Sequence, residues 1–272
     1  MNDAMKAWIL CASALFVPSI AGAAPLAAVA LAAGQQPAPN TNPDNRPEIK
    51  EAIDKLGEHA GKRGKEDEDA IKILDTLFKE FEKSGPKDRL MIVKGIDKCF
   101  EAKRQESAEG VRDNKLYMAS AVCLRDMGPE SAPILMKWIG HKDHRKDLPL
   151  QAQLIKSLGK TKDEDGRKAL IKLLVDKTPA IQAAAAEALG EFAEADQKVR
   201  KECVDELIKN ALMPAKGAID VQTPNQADKD RWDTISAPII TSLQRLSRHT
   251  ETDPQKWQAW WNDNKKKDWD KS

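Results

Sequence analysis

The 272-residue chain is short of aromatic residues: one tyrosine, five phenylalanines and seven tryptophans make up only 5% of it. It is also poor in the valine, isoleucine, threonine and tyrosine that strands favour, which excludes an all-β sandwich or barrel. It lacks an excess of either charge. Its 44 lysines and arginines face 43 aspartates and glutamates, a net of +1. Non-specific phosphate binders carry a basic surplus on one face, so no nucleic-acid partner is expected. There is no glycine-rich phosphate loop, no Gly-x-Ser-x-Gly elbow and no Cys-x-x-Cys pair. No catalytic, cofactor-binding or metal-binding residue is nominated, and partner-binding residues cannot be named from sequence. What is abundant is alanine, leucine, lysine, aspartate and glutamate, a helix-forming composition.

The N-terminus reads as an export signal. Lys6 precedes the uncharged run Ala7–Ile20, and Ala21-Gly22-Ala23 offers small residues for cleavage after Ala23. Removing residues 1–23 takes away Lys6 and Asp3, so the net charge stays +1. The alternative is an uncleaved anchor, because Ala7–Ala33 has no charge and is long enough to span a bilayer. Pro18, Pro25 and the weak hydrophobicity of alanine argue against it. A membrane is expected as a partner only if that segment is retained. Residues 24–47, with four prolines in the stretch 34–47, read as a flexible linker.

After cleavage three cysteines remain, Cys99, Cys123 and Cys203. Each lies on an apolar helical face and reads as a small buried hydrophobe, with a Cys99–Cys123 bridge as the alternative. His141 and His144 flank Asp143, a pattern compatible with metal ligation. No third strong ligand lies nearby, so a solvated loop is expected there.

From residue 48 onward apolar residues recur at helical spacing. Ile71, Leu74, Leu77, Phe78 and Phe81 mark one helix; Leu90, Ile92, Val93, Ile96, Cys99 and Phe100 mark the next. A repeat then emerges. Met127-Gly128, Leu158-Gly159 and Leu189-Gly190 are spaced by 31, as are Ala121, Ala152 and Ala183. Each glycine falls where a helix should stop, in the left-handed conformation that closes one. A second apolar helix follows each time, through Leu135 and Trp138, Leu170 and Leu174, and Val204 and Leu207. The first-helix pattern returns as Ala237, Ile240 and Leu243 after an interruption at 213–229, which reads as an inserted surface loop. Helix pairs of 31–35 residues cannot bury their own apolar stripes singly, so they stack around a shared core.

The stretch Val175–Gly190, VDKTPAIQAAAAEALG, resembles the HEAT-repeat family, specifically its short bacterial HEAT-like units. Asp176, Pro179, Ile181, alanines 183–186, Leu189 and Gly190 carry the resemblance. The family often places arginine where this chain has Gln182, so one turn-bracing contact is expected to be absent. A tetratricopeptide array is the rival, but there Leu-Gly lies inside the first helix and a tyrosine-like aromatic follows. The final segment, with Trp257, Trp260 and Trp261 at i, i+3 and i+4, is similar to the tryptophan-rich tail of exported HEAT-repeat proteins.

The resemblance implies an all-α, armadillo-type solenoid, a HEAT-like superhelix of stacked antiparallel helix pairs. It spans 48–250, closed by a tryptophan-rich capping helix and tail at 251–272. An aromatic ligand platform is the other reading of those tryptophans. The implied function is a non-enzymatic scaffold that binds another protein through the second helices of its repeats. The alternatives are a bilin-lyase-like enzyme, which uses related repeats, and an envelope-tethered structural protein.

Overall fold

The computed structural model describes residues 40–104 and 113–271. The export signal, residues 24–39 of the expected linker, residues 105–112 and Ser272 lie outside the described residues.

Among the described residues every regular element is a helix. They are α1 (Pro47–Ala60), α2 (Asp67–Phe81), α3 (Pro86–Glu101), α4 (Lys115–Arg125), α5 (Ala132–Trp138), α6 (Leu148–Lys160), α7 (Glu164–Leu173), α8 (Pro179–Leu189), α9 (Gln197–Leu207), α10 (Met213–Ile219), α11 (Gln226–Ser247) and α12 (Pro254–Asn264). They pack as two rows. The first runs α2, α4, α6, α8, α11, each touching the next. The second runs α1, α3, α5, α7, α9, and α12 joins it through α10 and the turn before it. This is the α-solenoid expected from the repeat, with α1 as an additional second-row helix at one end, packed on α2 and α3.

Amphipathic periodicity fixes which face each helix buries. Leu74, Leu77 and Phe81 of α2 are buried, as are Leu150, Leu154, Ile155 and Leu158 of α6. Leu170, Val204 and Leu207 fill the layer between the rows, with Leu135 and Trp138 beneath α4. The buried apolar residues form one continuous cluster from Ile49 to Trp261. Local signals set the helix starts. Asp147, Asp163, Asn225 and Asp253 each accept a hydrogen bond from an amide in the first turn of α6, α7, α11 and α12.

The repeat glycines have a different role from the one expected. Only Gly128 is left-handed, at φ +72°. Gly159 lies inside α6, and Gly190 has φ −61°. Both are contact points between first-row helices. A Cβ on Gly159 would sit 2.6 Å from the Ala188 carbonyl oxygen and 2.8 Å from its Cα. A Cβ on Gly190 would sit 2.6 Å from Ser242 Oγ. Ser242 lies 54 residues beyond Ala188, the offset that relates Leu243 to Leu189, so the same contact recurs one layer on. Of the aligned alanines, Ala121 is fully buried, while Ala152 and Ala183 are half-buried.

The expected loop at 213–229 is helical at both ends. Following α9, Ile208–Leu212 forms a π-turn and the chain continues as α10. Pro214 cannot donate to the Asn210 carbonyl, and the wider turn accommodates that break. Ala215 of α10 is buried, and α10 packs on α11 and α12. Only about six residues, 220–225, are non-helical before α11 begins.

The end of the expected linker is tied down rather than free. Asp44 Oδ1 accepts the backbone amides of Lys87 and Asp88, 2.9 and 3.0 Å, and so caps α3 from outside the helix. Asp88 returns two bonds, accepting the Asn45 and Arg46 amides. Arg46 reaches Glu80 and Ser84. Gly85 leaves room for this, since a Cβ there would meet Asp44 Oδ1 at 2.5 Å.

Gly159→Ala should lower stability by about 1–3 kcal/mol, because the added methyl has backbone on its other side and α6 must move away from α8. Gly57→Ala in α1, where a Cβ meets nothing within 4 Å, should instead gain up to about 1 kcal/mol from helix propensity. Urea unfolding of the two variants checks the contrast; equal shifts would show that the glycine register does not set the layer spacing.

Candidate functional site

The residues with chemical potential in the sequence are mostly structural. His144 is buried, not solvated as expected. Its Nε2 lies 2.8 Å from the Phe100 carbonyl oxygen, and its ring packs edge-on to Tyr117 and beside Trp138. His141 packs edge-on to Trp138. The two histidines therefore belong to an aromatic cluster that closes the α3–α5 layer, where short backbone turns bring them inward. No group of three or more metal-binding side chains occurs among the described residues.

The three cysteines are free thiols. Cys99 and Cys203 are buried, and Cys123 is half-buried with Sγ 3.7 Å from the Leu74 carbonyl oxygen. Burial pushes each thiol up to about 12. None is a thiolate near neutral pH, so none is poised as a nucleophile. Asp67, also buried, is pushed above the usual carboxylate range by desolvation, against the pull of Arg104 3.2 Å away.

The tryptophan-rich segment packs on the second row. Trp257 is fully buried and Trp261 nearly so, with Trp261 Nε1 donating to Asp205 of α9 at 2.8 Å. Trp260 is half-buried and stacks on His249, ring centroids 4.9 Å apart and planes 7° apart. The tail beyond α12 folds back over α9. The Trp269 amide donates to Gln197, and Arg200 reaches Asp270.

Gln182 occupies the position where the resembling family often has arginine. It does brace the turn, its Nε2 donating to the Leu174 carbonyl at 2.6 Å, while its Oε1 is buried without a hydrogen-bond partner. A cleft of about 250 Å³ opens beside it, walled by the π-turn, α10 and Arg231 of α11.

Both rows carry ion pairs between neighbouring helices. First-row neighbours are cross-linked by opposite charges: Lys156–Glu187 at 2.7 Å, Lys160–Glu191 at 2.6 Å and Arg245–Glu191 at 3.1 Å. The second row has similar bridges between α3 and α5, Lys137–Asp97 at 2.8 Å, and between α7 and α9, Arg167–Glu202 at 3.1 Å. Among the described residues the α1–α3 layer has only Arg46–Asp88, 3.6 Å apart where both helices begin, and beyond it runs a groove of about 490 Å³ lined by Ile53, Leu90 and Met91. Leu90, which the sequence pattern places on a core face, is 52% exposed. Sequence periodicity could not show this groove, because it depends on α1 lying beside α3 with no larger side chain between them.

Trp257→Ala should cost about 3–5 kcal/mol by emptying a fully enclosed site. Trp260→Ala should cost roughly 1 kcal/mol, the value of an aromatic ring contact at a half-buried site. Thermal melting with tryptophan fluorescence separates them; equal small shifts would show that α12 is loosely held.

Residues 144–211 match the family model for HEAT repeats. No curated protein matches the chain. The matched stretch covers α6 to α9 and most of the π-turn, the layers in which the Gly159–Ala188 contact sets the spacing. Those layers are similar to HEAT repeats, helical repeat units of a kind often used as scaffolds in protein interaction.

Proposed function

We propose that this chain is an exported, non-enzymatic scaffold that binds another protein through the second row of its solenoid. The observation that carries the reading is the groove at α1–α3. Helices of both rows are bridged to neighbours by ion pairs, while this boundary of the second row leaves an apolar groove open. A solenoid is held by contacts between neighbours, so one such opening can meet a partner without loosening the rest of the stack. Fold alone does not specify a partner.

The non-enzymatic half of the proposal is supported by the state of the thiols. A bilin-lyase-like activity would call for an accessible reactive group. The three cysteines of the described residues are largely buried and held protonated. Export is supported by the uncharged run Ala7–Ile20 followed by Ala21-Gly22-Ala23. Among the described residues no helix is long and apolar enough to cross a membrane.

Two measurements test this. The mature protein should begin at Ala24 by mass spectrometry, and thiol labelling after full denaturation should count three cysteines. Four would mean that Cys11 is retained and the protein is tethered. Mixing the protein with bilin and an apo-phycobiliprotein should leave the absorption spectrum unchanged, whereas a new bound-bilin band would overturn the scaffold reading.

A further inference from the structure

The groove between α1 and α3 combines features that self-packing does not explain. Lys50 stands on one lip, and Lys87, Lys94 and Lys98 stand along the other. All four are exposed, and none forms an ion pair among the described residues. One acid, Asp54, lines the same groove. At four other layer boundaries among the described residues, opposite charges pair directly across the gap. Here four lysines and a single acid border an apolar floor, a cationic rim that an anion lying in the groove would neutralise.

The second feature is Gly57. It sits in the interior of α1 with right-handed backbone, and an added Cβ would meet nothing within 4 Å. Neither conformation nor internal packing asks for glycine there, although glycine weakens a helix. Gly57 and Gly61, one turn apart, line a further hollow of about 230 Å³ that shares Gly95 and Lys98 with the first. The groove therefore continues along both helices, over most of the length of α3, about 24 Å for its 16 residues. Its floor lets a partner backbone approach closely.

We propose that this groove docks an acidic amphipathic helix of a partner protein, the partner's apolar stripe on Leu90, Met91 and Ile53 and its carboxylates on the lysine lips. The inference rests on the scaffold reading and gives it a site and a partner chemistry. A helix fits the straight, two-walled shape, with acids one turn apart on the partner meeting Lys94 and Lys98, one turn apart on α3. The chain's own N-terminal stretch does not fit, since residues 1–39 contain a single acid, Asp3. A membrane surface is flat, whereas the apolar residues here lie in a recess between charged lips.

The test uses two synthetic helical peptides with the same leucine stripe, one flanked by glutamates and its twin by lysines. Fluorescence anisotropy should show the acidic peptide binding the full mature protein, more weakly as salt rises, and the basic twin not binding. Lys94→Glu combined with Lys98→Glu should weaken binding at least tenfold. Gly57→Leu, whose Cβ would meet nothing within 4 Å and whose larger side chain would occupy the hollow, should do the same while melting stays unchanged or rises. Equal binding of both peptides, no binding of the acidic one, or full binding to Gly57→Leu would each overturn the proposal. Co-sedimentation with phosphatidylglycerol vesicles in place of peptide binding would overturn it in favour of a membrane surface. Affinity capture from the envelope fraction separates this inference from the scaffold reading. Partners held equally by wild type and both variants would sink the groove alone, and none held by wild type would sink the scaffold.

Discussion

The close approach of consecutive first-row helices is the constraint on which the rest of the structure depends. α6 can lie on α8 only because Gly159 has no side chain at the point where it meets Ala188. The same contact recurs between Gly190 and Ser242 as α8 meets α11. With first-row helices this near, leucines from both rows reach one shared layer, and Leu158, Leu170, Leu189 and Leu207 are all fully buried. Dispersion between small, closely packed groups and burial of the larger ones then act together. The surface ion pairs that follow the same layers, Lys156–Glu187 among them, are exposed and contribute little to stability. Their value is in marking which layer boundaries are satisfied by the chain itself.

That distinction links the packing to the proposed function. A stack of helix pairs is held by contacts between neighbours, so any one layer boundary can be left open on one row without dissolving the others. At α1–α3 the chain keeps the helices together through Gly95, where a Cβ would press to 2.9 Å on Ile53. It then leaves their outer edges as a lysine-lined recess. The strap at residues 40–46 secures the same end of the stack, because Asp44 and Asp88 exchange amide bonds across the start of α3. At the other end, Trp257 and Trp261 fill the space against α9 and α10.

Much of this was legible in the sequence, and the misses have physical causes. The register of 31 residues located the first-row helices, and the apolar stripes located the second. The glycines of the register were read as helix stops because a lone chain shows the end of a periodic pattern and not the neighbour it will touch. Gly128 is left-handed in the turn that follows α4, while Gly159 and Gly190 serve the next helix over. His144 was expected in solvent because its flanking residues are charged, yet the turn at 140–147 rotates it onto Phe100 and Tyr117. The prolines, glycine and asparagine of 213–229 predict a loop. A π-turn absorbs Pro214 and lets the helix resume. The groove was not legible at all, because Leu90 has the spacing of a core residue and only the placement of α1 leaves it exposed.

Native-state hydrogen exchange on the wild type and on Gly159→Ala tests the central claim most directly, that layers are coupled through nearest-neighbour contacts of the first row. The account predicts faster exchange in α6 and α8, a smaller change in α4 and α11, and unchanged protection in α1 to α3. Uniform acceleration through every helix, or none in α6 and α8, would contradict it.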